Sequence, residues 1–135
     1  MEARAKNELM SENRENIIQN YIEGYNKFDV EKMLLDLDNE IIFQNIQNGE
    51  INLTLNGINA FKDQAEKSKL YFEKRQQKIT SIKHTEDKTE IEIDYFAVLG
   101  IDFPNGLKKG QKLELKGKTI FTFKNNKIIS ISDIS

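Results

Sequence analysis

The sequence predicts one α+β domain, with helices gathered in the N-terminal half and a curved, mostly antiparallel sheet after them. Three observations carry this. Apolar residues recur at helical spacing between residues 17 and 37. From residue 78 onward they alternate with a period of two. Asn, Asp, Gly and Pro punctuate those alternating runs at intervals that suit hairpins. Helices at one end of a chain and consecutive strands at the other fit helices packed on one face of an antiparallel sheet.

The elements follow in order. Residues 1–11 are polar and read as an N-terminal tail or a helix extension, and residues 12–135 as the domain itself. Ile17, Ile18, Tyr21, Ile22, Tyr25 and Phe28 form one broad apolar helix face. Asp29 is placed to cap a second, short helix carrying Val30, Met33, Leu34 and Leu37, with Asp38 and Asn39 closing it. Residues 40–46 are rich in β-branched and aromatic side chains and predict a strand. Asn48-Gly49 predicts a tight turn into a second strand, where Ile51, Leu53 and Leu55 alternate. After the break at Asn56-Gly57, Ile58, Phe61, Ala65 and Phe72 suggest a third amphipathic helix. Four strands follow: residues 79–84, a run through Ile91 to Leu99, residues 113–123 and residues 127–134. Their turns lie at Asp87-Lys88, Pro104-Asn105-Gly106 and Asn125-Asn126.

Composition narrows the chemistry. The chain has 135 residues, a common size for one domain and enough to bury a core without cross-links. It has no cysteine, which excludes disulfides, thiolate metal sites and thiol nucleophiles. One histidine, His84, excludes a multi-histidine zinc site within the chain, and no loop has calcium-ligand spacing, so no metal and no cofactor is expected. The net charge of -2, with acids and bases interspersed, carries no footprint for nucleic acid. No apolar stretch approaches membrane-spanning length and the first residues lack a secretory pattern, so the expected location is the cytoplasm.

Ile17-Ile18-Gln19-Asn20-Tyr21 leading to Asn26-Lys27-Phe28-Asp29 resembles the first helix and turn of the nuclear transport factor 2-like superfamily, especially its SnoaL-like and ketosteroid isomerase-like branch. Asn56-Gly57 before Ile58 and Phe61 resembles the entry to that family's third helix. The runs at residues 118–123 and 127–131 resemble its last hairpin. The resemblance covers residues 12–135. It implies a cone, in which a bent sheet wraps the helices and leaves an apolar pocket open at one end (the cystatin-like α+β arrangement). Strand alternation then points Ile91, Ile93, Tyr95, Ala97 and Leu99 inward, with Thr119, Phe121 and Phe123, and with Ile129, Ile131 and Asp133. Phe96, Val98, Ile120 and Thr122 would lie on the convex face, through which the resemblance implies a homodimer.

The same resemblance sorts candidate residues. Isomerases of this kind use a helix tyrosine as oxyanion donor, and Tyr21 falls there. Their carboxylate base corresponds to Asn45, which cannot shuttle a proton, and their second donor to Thr119, so that isomerase chemistry is not expected. SnoaL-like cyclases place an acid–base aspartate on the last strand, which points to Asp133. Burial in an apolar cup would raise its pKa into a useful range. Pocket residues on this reading are Tyr21, Tyr25, Phe43, Asn45 and Ile93, then Tyr95, Thr119, Phe121, Ile131 and Asp133. His84 reads as a solvated residue, with a pairing to Asp133 or Asp94 as the alternative. Gly117-Lys118-Thr119 imitates a phosphate loop but lacks the upstream glycine, and the lysines at 108, 109, 112, 116 and 118 read as a solvated edge.

Three functions fit these residues. The first is a module binding a small apolar or aromatic molecule. The second is a cofactor-free acid–base enzyme of the cyclase, isomerase or dehydratase kind, with Asp133 as base and Tyr21 with Asn45 holding an oxyanion. The third is a homodimerisation or protein-interaction domain working through the convex face.

Overall fold

The computed structural model describes the backbone of residues 2–135 and side chains from residue 8 onward. Helix α1 (Glu2–Asn26) runs without a break past residue 12 and buries Ile18, Tyr21 and Ile22. A two-residue turn ends it. Phe28 takes a left-handed φ of 57°, and Asp29 caps α2 (Val30–Leu34) by accepting from the Lys32 amide at 3.1 Å. The two helices touch closely because residue 24 is glycine: a Cβ there would come within 2.9 Å of Met33.

Strand β1 (Leu37–Gln47) begins after a two-residue turn, Leu35-Asp36, at the end of α2. Leu37 and Asp38 therefore belong to the strand, not to the end of the helix as the apolar spacing predicts. Leu37 is buried as the partner of Ile128 across the sheet, and such pairing outweighs helical spacing over so short a segment. The Asn48-Gly49 turn, both residues at positive φ, leads to β2 (Glu50–Asn56). Helix α3 (Ile58–Ser68) buries Phe61 and Ala65, and a single 3-10 turn follows. Phe72, expected on that helix, opens β3 (Phe72–His84) opposite Leu99. This strand starts seven residues before the predicted one. Its first half, Phe72-Glu73-Lys74-Arg75-Gln76-Gln77-Lys78, is almost wholly polar because β3 is an edge strand.

Strands β4 (Lys88–Leu99), β5 (Lys112–Lys124) and β6 (Lys127–Ile134) complete a six-stranded curved sheet ordered β2-β1-β6-β5-β4-β3. All pairs are antiparallel except β1 with β6. Ile91, Ile93, Ala97 and Leu99 face inward and are buried, as the period of two predicts, and so are Thr119, Phe121 and Phe123. One residue departs from the alternation. Phe123 pairs with Ile128 and Thr122 with Ser130, so Ile129 is bulged out of the ladder and Ile128 takes its inward place. Phe96, Val98, Ile120 and Thr122 are half-buried on the opposite face. Among the described residues, no helix is long and apolar enough to cross a membrane.

The helices seal one end of the cone. Arg14 on α1 is buried and donates to the carbonyls of Thr85 at 2.7 Å, Glu86 at 2.5 Å and Lys88 at 3.3 Å, which closes the β3–β4 turn. His84 lies beside it. It is half-buried rather than solvated, bonded to Thr89 at 2.9 Å and to Glu15 at 3.2 Å, and so pairs with neither Asp133 nor Asp94. The other end stays open, and the candidate site lies there.

Candidate functional site

The C-terminus of α1 is pinned to the free edge of β3. The Asn26 amide group donates to the Gln77 carbonyl at 3.2 Å, and its oxygen accepts from the Gln77 amide at 2.8 Å. An asparagine side chain thus does here what another strand would do. The clamp sets Tyr25 against Tyr95 of β4, whose hydroxyls lie 2.7 Å apart. Whichever oxygen donates, the other hydroxyl keeps its hydrogen for a guest.

Sheet register builds the rest. Parallel pairing of β1 with β6 sets Asn45 beside Asp133, and antiparallel pairing of β5 with β6 sets Thr119 on its other side. These three polar residues form a row across the concave face. Thr119 donates to Asp133 Oδ1 at 2.8 Å. Burial pushes the Asp133 carboxyl up to about 6, against the downward pull of that hydrogen bond. Asn45 spends one amide hydrogen on Asn52 at 2.8 Å.

Two cavities of about 210 Å³ each flank this row and share Tyr25, Asn45 and Asp133. The first opens between Tyr95, Ile93, Leu115, Gly117 and Thr119. The second runs toward α3, with Phe43, Leu55, Phe61 and Phe72 as apolar walls and Tyr21, Gln64, Ser68 and Arg75 as polar ones. Tyr21 packs edge-on to Phe121 at 5.7 Å, and burial first, then the Asp133 charge, raises its pKa. Burial likewise raises the phenols of Tyr25 and Tyr95, so all three stay neutral and keep a hydroxyl hydrogen to donate.

Of the ten pocket residues read from the sequence, Tyr21, Tyr25, Phe43, Asn45, Ile93, Tyr95, Thr119 and Asp133 border a cavity. Phe121 and Ile131 do not. They are fully buried in the core beneath, where helix side chains fill the concave face. Sequence reasoning missed Arg75. Its guanidinium is buried, donates from Nε to the Tyr25 carbonyl at 2.7 Å and from Nη1 to Ser68 Oγ at 3.3 Å, and stacks on the rings of Tyr25 and Phe28 at 3.8 and 4.4 Å. Carrying the period of two backward from Ile79 through Gln77 would have found it.

No protein-family model matches the sequence, and no curated protein matches it either. Solved structures match in shape. A proposed polyketide cyclase from Xanthomonas campestris pv. campestris has a TM-score of 0.77 at 19% identity, over 92% of this chain and 90% of that one. A proposed SnoaL-like polyketide cyclase from Jannaschia sp. CCS1 gives 0.75 at 10% identity, over 90% and 83%. TerC co-crystallised with polyporic acid gives 0.73 at 14% identity, over 90% of each chain. The chain therefore shares its fold with these solved structures, among them proteins described as SnoaL-like polyketide cyclases and as NTF2-like. At these identities the likeness speaks for the backbone, and the chemistry rests on this chain's own residues.

Proposed function

We propose that this protein binds a small, mainly apolar or aromatic molecule inside the open end of the cone. The observation that supports it is the meeting of two cavities, each about 210 Å³, at Tyr25, Asn45 and Asp133. Apolar walls with a few convergent polar groups are the usual make-up of a small-molecule site. TerC, a structural neighbour, was crystallised with polyporic acid, which is in keeping with this reading. The test is an NMR titration of isotope-labelled protein with a panel of monocyclic aromatic fragments. Shifts confined to Tyr25, Asn45, Tyr95, Thr119 and Asp133 are expected. Shifts scattered over the convex face instead would remove the proposal.

One observation favours a second reading, acid–base catalysis. Asp133 is a buried carboxyl with a pKa near 6, held by one hydrogen bond and bordering both cavities. Such a group gives and takes a proton near neutral pH. The oxyanion donor best placed beside it is the Tyr25–Tyr95 pair, with Tyr21 behind, while Asn45 is partly occupied by Asn52. With Asp133 as the base, turnover of any substrate should then rise with pH through an acidic limb near pH 6 that Asp133→Asn abolishes. Full activity in that variant would end this reading. The convex face, with half-buried Phe96, Val98, Ile120 and Thr122, is the proposed contact for a second copy of the chain, and a strict monomer by sedimentation at micromolar concentration would rule it out.

A further inference from the structure

The cavity beside α3 has a feature that an apolar guest alone does not explain. Arg75 Nη2 is buried and has no hydrogen-bond partner among the described residues. An unmet buried donor costs about 1–3 kcal/mol, and more when the group is charged. Buried arginines are ordinarily paired with a carboxylate. Among the described residues Arg75 has none: its partners are a carbonyl and a hydroxyl, and Asp133, the carboxylate on the same cavity, makes no bond to it.

The geometry shows which part of the guanidinium is left over. The Tyr25 and Phe28 rings pack against it, with their centroids 3.8 and 4.4 Å from its central carbon. The Nε hydrogen goes to the Tyr25 carbonyl, whose position at the end of α1 favours a cation. One Nη1 hydrogen goes to Ser68. What remains is the terminal fork of Nη1 and Nη2, the edge that receives a carboxylate with two parallel hydrogen bonds. The positive charge also acts at the phenols of Tyr21 and Tyr25, which border the same cavity.

We propose that Arg75 makes the α3-side cavity a subsite for an anionic oxygen group, a carboxylate or an oxyanion of similar acidity, carried on an apolar body about one ring in size. The size follows from the volume. A dry cavity of roughly 150 Å³ holds benzene, and this one has about 210 Å³ with Phe43, Leu55, Phe61 and Phe72 as walls. The inference deepens the binding reading above and rests on it.

The experiment compares two probes on the full chain at pH 7.5: benzoate, and benzyl alcohol as its neutral counterpart. Each is titrated into 15N-labelled protein, following backbone amides and the Arg75 Nε signal. Benzoate is expected to bind at least about ten-fold tighter, the equivalent of one charged hydrogen bond, and to move the Arg75 Nε and Ser68 signals. Arg75→Gln should bring benzoate down to the level of benzyl alcohol measured on the same variant. Equal binding of the two probes overturns the anion subsite and leaves the binding reading standing. A benzoate preference that survives in Arg75→Gln overturns it too and assigns the anion to surface lysines. If neither probe perturbs the cone, both readings fall. Arg75 also ties α1 to β3, so the glutamine variant can lose its fold. In that event the comparison of the two probes on the unsubstituted protein decides.

Discussion

The two buried arginines sit at opposite ends of the cone and do opposite things. Arg14 and Arg75 are almost equally hidden, at 5% and 4% exposure. At the sealed end, Arg14 spends both terminal nitrogens on three carbonyls of one turn and lies over Phe123 at 5.2 Å. At the open end, Arg75 is stacked more closely, 3.8 Å from the Tyr25 ring, but leaves Nη2 unmet. Burial alone therefore does not separate a fastener from a receptor. The buried nitrogen without a partner does: among the described residues Arg75 Nη2 is one and neither terminal nitrogen of Arg14 is, and such an unmet donor has capacity to spare.

The contrast can be broken at several points. The largest effect should come from the core beneath the sealed end. Phe121→Ala removes a fully buried ring and should cost about 4 kcal/mol, while Leu115→Ala, at 53% exposure on the open rim, should cost under about 0.5 kcal/mol. Urea denaturation midpoints check both, and similar losses would mean that the two ends are equally packed. Next come the arginines themselves. Arg14→Met removes three charge-assisted hydrogen bonds to the carbonyls of the β3–β4 turn and should lose about 3 kcal/mol. Arg75→Met gives up the bonds to the Tyr25 carbonyl and to Ser68 but removes an unmet charge and keeps an apolar chain beside the two rings, so it should lose less, about 2 kcal/mol. Equal losses would erase the distinction drawn here.

Asp133 sharpens the comparison through pH. Its native pKa is raised from 3.8 to about 6. The folded state therefore binds this proton more tightly than the unfolded state. The favourable contribution is complete below pH 3.8 and is lost as pH rises through about 6. A displacement of about two pH units is worth at most about 3 kcal/mol, and the cavity beside the carboxyl lowers that to about 2 kcal/mol. Asp133→Asn, which keeps an oxygen for Thr119, should match the native protein near pH 4 and exceed its stability by that amount above pH 6.5. Urea midpoints at the two pH values give the answer. A constant difference between the proteins would place Asp133 in solvent.

Much of this was readable before any coordinates, and the exceptions have physical causes. Alternation in β4 and β5 carries a buried face on every second residue, so Ile93, Tyr95 and Thr119 fell on the correct side. Asp29 announced its cap because the interaction is local, three residues long. Arg75 was hidden because the outer half of an edge strand needs little apolar surface, and its polar run looks like a loop. The displacement of Ile129 by Ile128 depends on a bulge that has no local marker. Sequence also could not separate Phe121 and Ile131, which lie under helix side chains, from Tyr95, which borders a cavity. That depends on how far the helices reach into the cone.

The smallest predicted effect concerns the tyrosine pair. Tyr95→Phe removes one hydroxyl from a bond of 2.7 Å and leaves the rings, 6.2 Å apart, in contact. A single neutral hydrogen bond is worth about 1 kcal/mol net. Tyr25 would still reach the cavity, so the loss should be about 0.5–1 kcal/mol. The double variant Tyr25→Phe with Tyr95→Phe leaves no buried hydroxyl stranded and should cost little more than the single one, because the bond is removed only once. A double loss near the sum of two independent singles would show that each hydroxyl has its own separate partner. The pair would then be two structural bonds, and the spare hydrogen assigned to a guest would not exist.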